Sequence, residues 1–138
     1  MSVIVESKFT SARWRSHHQP VRVLLMGNNP MTLGDVQDQI LQFRDATYLC
    51  EVAFDISDAL RTARHFKPEV VLIDGSFGPE EQLSHMARFR KDKDTRHALF
   101  VMVGEPDADV TGSTTLYLTA EQIGNGYLAQ YFQQTLSA

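Results

Sequence analysis

The sequence predicts one α/β domain: a parallel β-sheet with helices packed on both of its faces. Five short runs rich in β-branched and aromatic residues recur between residues 21 and 118, and stretches with helical spacing lie between and after them. Size agrees, because 138 residues with 43% hydrophobic and 22% charged side chains can bury a full core without covalent staples.

Composition shifts at Pro20, which divides an N-terminal extension and linker (residues 1–20) from the folded domain expected over 21–138. In the extension, Val3, Val5 and Phe9 suit either a short accessory strand or a partly ordered tail. His17 and His18 have no neighbouring carboxylate or third histidine, which makes them a poor metal site. Val21–Met26 is the first strand. Leu33, Val36, Ile40 and Phe43 then fall on one helical face, with Asn29 as its cap and Pro30 at its first position. Tyr48–Phe54 is the second strand, and Ala59, Leu60, Ala63 and Phe66 form a second helical face after Ser57, stopped by Lys67-Pro68. Val70–Asp74 is the third strand, followed after Pro79 by a weaker stripe of Leu83, Met86, Ala87 and Arg90. Ala98–Val103 and Thr114–Leu118 complete the sheet. Tyr127, Leu128, Tyr131, Phe132 and Leu136 mark a last helix, with Asn125 as a cap and Gly124 and Gly126 limiting its upstream reach. Only EPDADVTGS, Glu105 to Ser113, joins the last two strands. A crossover normally needs a dozen or more residues, so the helix there is expected to be absent or cut to one turn.

Charge and composition exclude several function classes. Net charge is −4, and residues 21–138 carry 10 basic against 16 acidic groups, because Lys8, Arg13 and Arg15 sit in the extension. An acidic body does not suit a phosphate backbone, so no nucleic-acid partner is expected. No apolar run approaches the ~20 residues that span a bilayer, and the opening residues lack the apolar core of a secretory signal. Cys50 is the single cysteine, which fits a reducing cytoplasm; in an apolar strand it reads as inert core. His65 and His85 fall on separate helices without ligand spacing, and Arg90–His97 (RKDKDTRH) reads as a mixed-sign solvated stretch.

Four segments together resemble a response-regulator receiver domain over residues 21–137. VLLMGNNP (Val23–Pro30) is similar to the first strand and the loop carrying the family's acidic pair, and AFDISDAL (Ala53–Leu60) to the second strand leading into the second helix. KPEVVLIDG (Lys67–Gly75) resembles the third strand ending in the phosphoacceptor aspartate, and LYLTA (Leu116–Ala120) the fifth strand with its terminal lysine position. Arg90 also falls where the family expects it, late in the third helix. The resemblance implies a flavodoxin-like, doubly wound sheet of order 2-1-3-4-5.

Receiver chemistry needs an aspartate nucleophile, a Mg²⁺ held by neighbouring carboxylates, and a hydroxyl and a lysine on the phosphoryl oxygens. Carried onto this chain, Asp74 matches the nucleophile, Gly27 and Asn28 replace the acidic pair, Gly104 replaces the hydroxyl residue and Ala120 the lysine. Losing one preorganised donor from such a site costs ~3–4 kcal/mol, so little self-phosphorylation is expected. Mg²⁺ binding is expected to be at most weak at Asp74, with Asn28, the Ser76 carbonyl or Glu105 as stand-in ligands, and no other cofactor is expected. Asp74-Gly75 also reads as a turn dipeptide whose carboxylate accepts backbone hydrogen bonds, and Gly27 as a tight turn. Tyr117 matches the family's switch aromatic and is expected to fill the space beside Gly104 in one fixed conformation.

The resulting expectation is a stand-alone, degenerate receiver-like signalling module. It is not an enzyme and acts by docking to another signalling protein (a kinase, regulator or effector) or to a second copy through exposed strand edge or apolar surface. The alternative is a phosphorylatable single-domain regulator of a two-component phosphorelay that uses Asp74. A flavodoxin-like cofactor binder fits poorly, because Gly27-Asn28-Asn29-Pro30 puts proline where a phosphate loop needs a backbone N–H.

Overall fold

Strand runs that are apolar at nearly every position can be buried on both faces only in a parallel, helix-covered sheet. The computed structural model, which describes residues 20–43, 47–104 and 115–136, shows that sheet. Its strands are β1 (Val21–Met26), β2 (Tyr48–Ala53), β3 (Val70–Ile73), β4 (Leu99–Val103) and β5 (Thr115–Leu118). All pair in parallel in the order β2-β1-β3-β4-β5. Register is set by Val21 beside Tyr48, Val23 beside Val70, Val70 beside Leu99 and Phe100 beside Thr115. The expected flavodoxin-like fold class is therefore the observed one. The extension, with Val3, Val5, Phe9, His17 and His18, lies outside the described residues, and so does EPDADVTGS with Glu105 and the question of its helix.

Helices α1 (Pro30–Leu41), α2 (Ile56–Phe66), α3 (Pro79–Lys91), α4 (Ala120–Gly124) and α5 (Tyr127–Leu136) run back from the carboxyl ends of the strands. Asn29 caps α1 as expected, its side chain accepting from the N–H groups of Met31 and Thr32, with Pro30 in the first turn. Asp55 caps α2 through the Asp58 N–H, so that helix opens before Ser57. Lys67 closes it in a left-handed conformation (φ 51°), its N–H donating to the Ala63 carbonyl, and Pro68 prevents continuation.

Two expectations are corrected. The buried face of α3 is Gln82, Met86 and Phe89. Ala87 and Arg90 point to solvent, although the Arg90 guanidinium lies 5.4 Å over the Phe100 ring. The polar Gln82 interrupts the apolar stripe and hides this face from a hydrophobicity reading. Asn125 caps the end of α4 and does not open α5. Helix α4 carries a capping box in which Thr119 accepts the Gln122 N–H and the Gln122 side chain accepts the Thr119 N–H.

One core lies between the sheet and α1 and α5, formed by Val23, Leu25, Leu72 and Val101 against Leu33, Ile40, Leu128 and Phe132. The other places Leu24, Met26, Ile73, Phe100 and Met102 against Ala59, Met86 and Phe89. Phe132 stacks on Tyr48 at 5.6 Å, and Phe43 meets Tyr48 edge-on at 5.6 Å, which joins α5 to the edge strand β2. Cys50 is half-buried on β2, and burial with the neighbouring Glu51 carboxylate pushes its thiol up to about 11, as suits an unreactive cysteine.

Phe132→Ala removes a ring that is 1% exposed and is expected to cost about 3–5 kcal/mol in urea denaturation. Tyr127→Ala, one turn upstream and 49% exposed, should stay within about 0.5 kcal/mol of the parent.

Candidate functional site

Strand order reverses at β1, whose two neighbours send the chain to opposite faces of the sheet, which makes the carboxyl ends of β1 and β3 the switch point of the fold. Gly27 and Asn28 follow β1, Asp74 follows β3, Gly104 follows β4, and Thr119 and Ala120 follow β5. Of these, Gly27 and Asp74 are in direct contact. The Asp74 N–H donates to the Met26 carbonyl at 2.8 Å, which extends the β1–β3 ladder by one bond. Its side chain is buried, and Oδ2 accepts the Ser76 N–H at 3.3 Å, capping a 3₁₀ turn at Gly75–Phe77. This is the turn role that Asp-Gly implies.

Closeness of the backbones explains both glycines. A Cβ at Gly27 would lie 2.8 Å from the Asp74 Cβ and 3.0 Å from Leu33 Cδ2. A Cβ at Gly75 would lie 2.6 Å from the Val103 carbonyl oxygen. That carbonyl is also held by Gln82, whose buried Nε2 donates at 3.1 Å to both the Ile73 and Val103 oxygens. The Asn28 N–H donates to Ser76 Oγ at 2.9 Å and ties the first loop to the 3₁₀ turn. The sequence points to the Ser76 carbonyl but not to its hydroxyl, a common turn group, nor to Gln82, a polar interruption in a helix.

Mg²⁺ takes near-octahedral oxygen donors, usually including one or two carboxylates. Among the described residues, one carboxylate, Asp74, follows β1 or β3 directly; it is half engaged in capping, and position 27 is sterically closed to another. Among the described residues no three His, Cys, Asp or Glu side chains gather as a metal site. The donor set does not fit the ion.

Gly104 has φ +145°, a conformation unfavourable to L side chains, and its N–H donates to the Leu118 carbonyl at 2.8 Å. A Cβ added there meets no described atom within 4 Å, so Tyr117 does not fill that space. Tyr117 instead packs, half-buried, on the core beneath α2 and α3. Backbone strain, and not a filled neighbouring space, is the reason for glycine at position 104. Ala120 opens α4 directly after the Thr119 cap. His85 meets the Phe77 ring edge-on at 4.6 Å, while His65 is exposed on α2.

Gly75→Ala pushes Cβ into backbone and is expected to destabilise by about 1–3 kcal/mol. Gly34→Ala inside α1, where a Cβ meets nothing within 4 Å, should stabilise by roughly 0.5–1 kcal/mol. Opposite shifts of the urea midpoint check both.

Neither a protein-family model nor a curated protein matches the chain. Solved structures do. A response regulator from Hahella chejuensis superposes with TM-score 0.63 at 17% identity, covering 86% of this chain and 98% of that one. The chemotaxis response regulator CheY4 of Vibrio cholerae gives 0.61 at 17% identity, over 80% and 98%. The N-terminal domain of a response regulator receiver protein from Methanoculleus marisnigri gives 0.51 at 17% identity, over 85% and 97%. With the 2-1-3-4-5 sheet, these likenesses make the fold that of a receiver-like domain.

Proposed function

We propose that this chain is a receiver-like signalling module that acts by docking to another protein and does not carry phosphoryl groups on Asp74. The contact between Gly27 and Asp74 carries this reading. Where phosphoryl transfer needs a carboxylate-lined metal cage, the chain places backbone against the Cβ of its only matching aspartate. Asp74 is occupied in organising its own turn, through the Ser76 N–H. Gly104 and Ala120 carry neither the hydroxyl nor the ammonium that grips a phosphoryl oxygen in the resembled site. No helix among the described residues is long and apolar enough to cross a membrane, which is compatible with a partner met in the cytoplasm.

Incubation with Mg²⁺ and a small acyl phosphate should leave the intact mass unchanged, with no ~80 Da adduct. An adduct that Asp74→Asn abolishes would instead support the phosphorelay reading. Asp74→Asn keeps an acceptor for the Ser76 N–H and should preserve both stability and partner binding. Asp74→Ala loses the cap and should cost about 0.5–2 kcal/mol in thermal or urea unfolding.

A further inference from the structure

A parallel sheet with antiparallel helices has two chemically distinct ends, and here they carry opposite charge. At the carboxyl end, Asp55, Asp58, Glu80, Glu81 and Glu121 sit at the starts of α2, α3 and α4, with Arg61 paired to Asp58 at 2.7 Å. At the amino end, among the described residues, Arg22, Arg64, Lys67, Lys91, Lys93 and Arg96 outnumber Asp38, Glu69, Asp92 and Asp94. Two surface clefts of ≈ 400 and ≈ 410 Å³ flank the Lys67–Asp94 ion pair there, one lined by Arg22, Lys93 and His97 and the other by Arg64 and Lys93. The Asp94 carboxyl is held below its usual range, first by the Lys67 hydrogen bond and then by the charges of Lys67, Lys93 and Arg64.

Helix dipoles favour acids at helix starts and bases at helix ends. They do not account for Arg22 on β1, for Lys93 and Arg96 beyond α3, or for the exposed apolar residues. Of the five large hydrophobics that stand exposed among the described residues, Met31 (80%) and Phe54 (48%) lie at the carboxyl end, and Leu41 (52%) and Leu49 (46%) at the amino end. The fifth, Tyr127, opens α5. Each end thus offers apolar anchors beside a net charge opposite to that of the other end, and the complementary surface is the opposite end of the same molecule.

We infer that copies of this chain stack head to tail, the acidic carboxyl end of one sheet against the basic amino end of the next. The contact joins two different surfaces, so it propagates into an open row and does not close as a two-fold dimer. This goes beyond the docking reading and does not rest on it: stacking follows from the two ends whether or not Asp74 is ever modified.

Sedimentation velocity on the full chain tests it. At low salt, mass should rise with concentration past that of a dimer, and high salt should return it to monomer, because surface charges are screened within about 3 Å at 1 M. Glu80→Lys, Glu81→Lys and Glu121→Lys together make both ends basic, and Lys93→Glu with Arg96→Glu makes the amino end acidic like the other. Each variant alone should stay monomeric with a cooperative thermal transition, and an equimolar mixture should regain association. If the amino-end variant fails to fold, Lys91→Glu with Arg96→Glu replaces it. A parent that is monomeric at every concentration, a closed dimer insensitive to salt, or a mixture that does not associate would overturn the proposal.

Discussion

The carboxyl ends of β3 and β4 must find hydrogen-bond partners beyond the sheet ladder, and a single side-chain amide meets that need. Gln82 reaches from α3 to the Ile73 and Val103 carbonyls, 3.1 Å from each. A buried carbonyl left unpaired costs about 1–3 kcal/mol, so this contact fixes where α3 sits. With α3 in place, the 3₁₀ turn before it is confined, and Gly75 runs too close to Val103 for any side chain. The confined turn places Asp74 against Gly27 and draws Asn28 to Ser76. The close approach of Gly27 and Asp74 is therefore a consequence of how α3 is anchored, as much as of the residues that meet there.

The Asn28–Ser76 and Ser76–Asp74 hydrogen bonds tie the loops after β1 and β3 together. On the docking reading proposed above, such ties lower the ordering cost of binding a partner. The charges that distinguish the two ends lie outside this tie, on helix starts and ends, on β1 and on the loops before β3 and β4.

Much of the fold was legible in the sequence because its signals are local. VRVLLM, VVLI and LFVMV announce strands buried on both faces, and Asn29-Pro30 and Lys67-Pro68 mark a helix start and stop with clear chemistry. The capping box at Thr119 was also present as Thr-x-x-Gln, but five residues of α4 carry too little periodicity to draw attention to it. The site was less legible. Asp74 could be found by resemblance and by its turn chemistry, whereas the steric closure at Gly27 depends on the distance between β1 and β3. Gln82 escaped because a buried amide looks like a surface residue until its two carbonyl partners are in view. The space at Gly104 was misread for a similar reason: an absent side chain leaves a void only where neighbours surround it, and here none of the described atoms do.

Strand order has a consequence for how the chain is assembled. β1 and β2 are neighbours in sequence and in space, and β3, β4 and β5 then add in turn to the other side of β1. Each new strand emerging during synthesis thus finds the edge it needs already present, and no later strand must be inserted between earlier ones. This order keeps loop closures short for a parallel sheet, whose non-local pairings otherwise fold slowly. It also means that β3 and then β4, apolar along nearly their whole length, each spend a period as the open edge. Nascent chains halted between Ile73 and Thr115 are where aggregation or chaperone capture should concentrate.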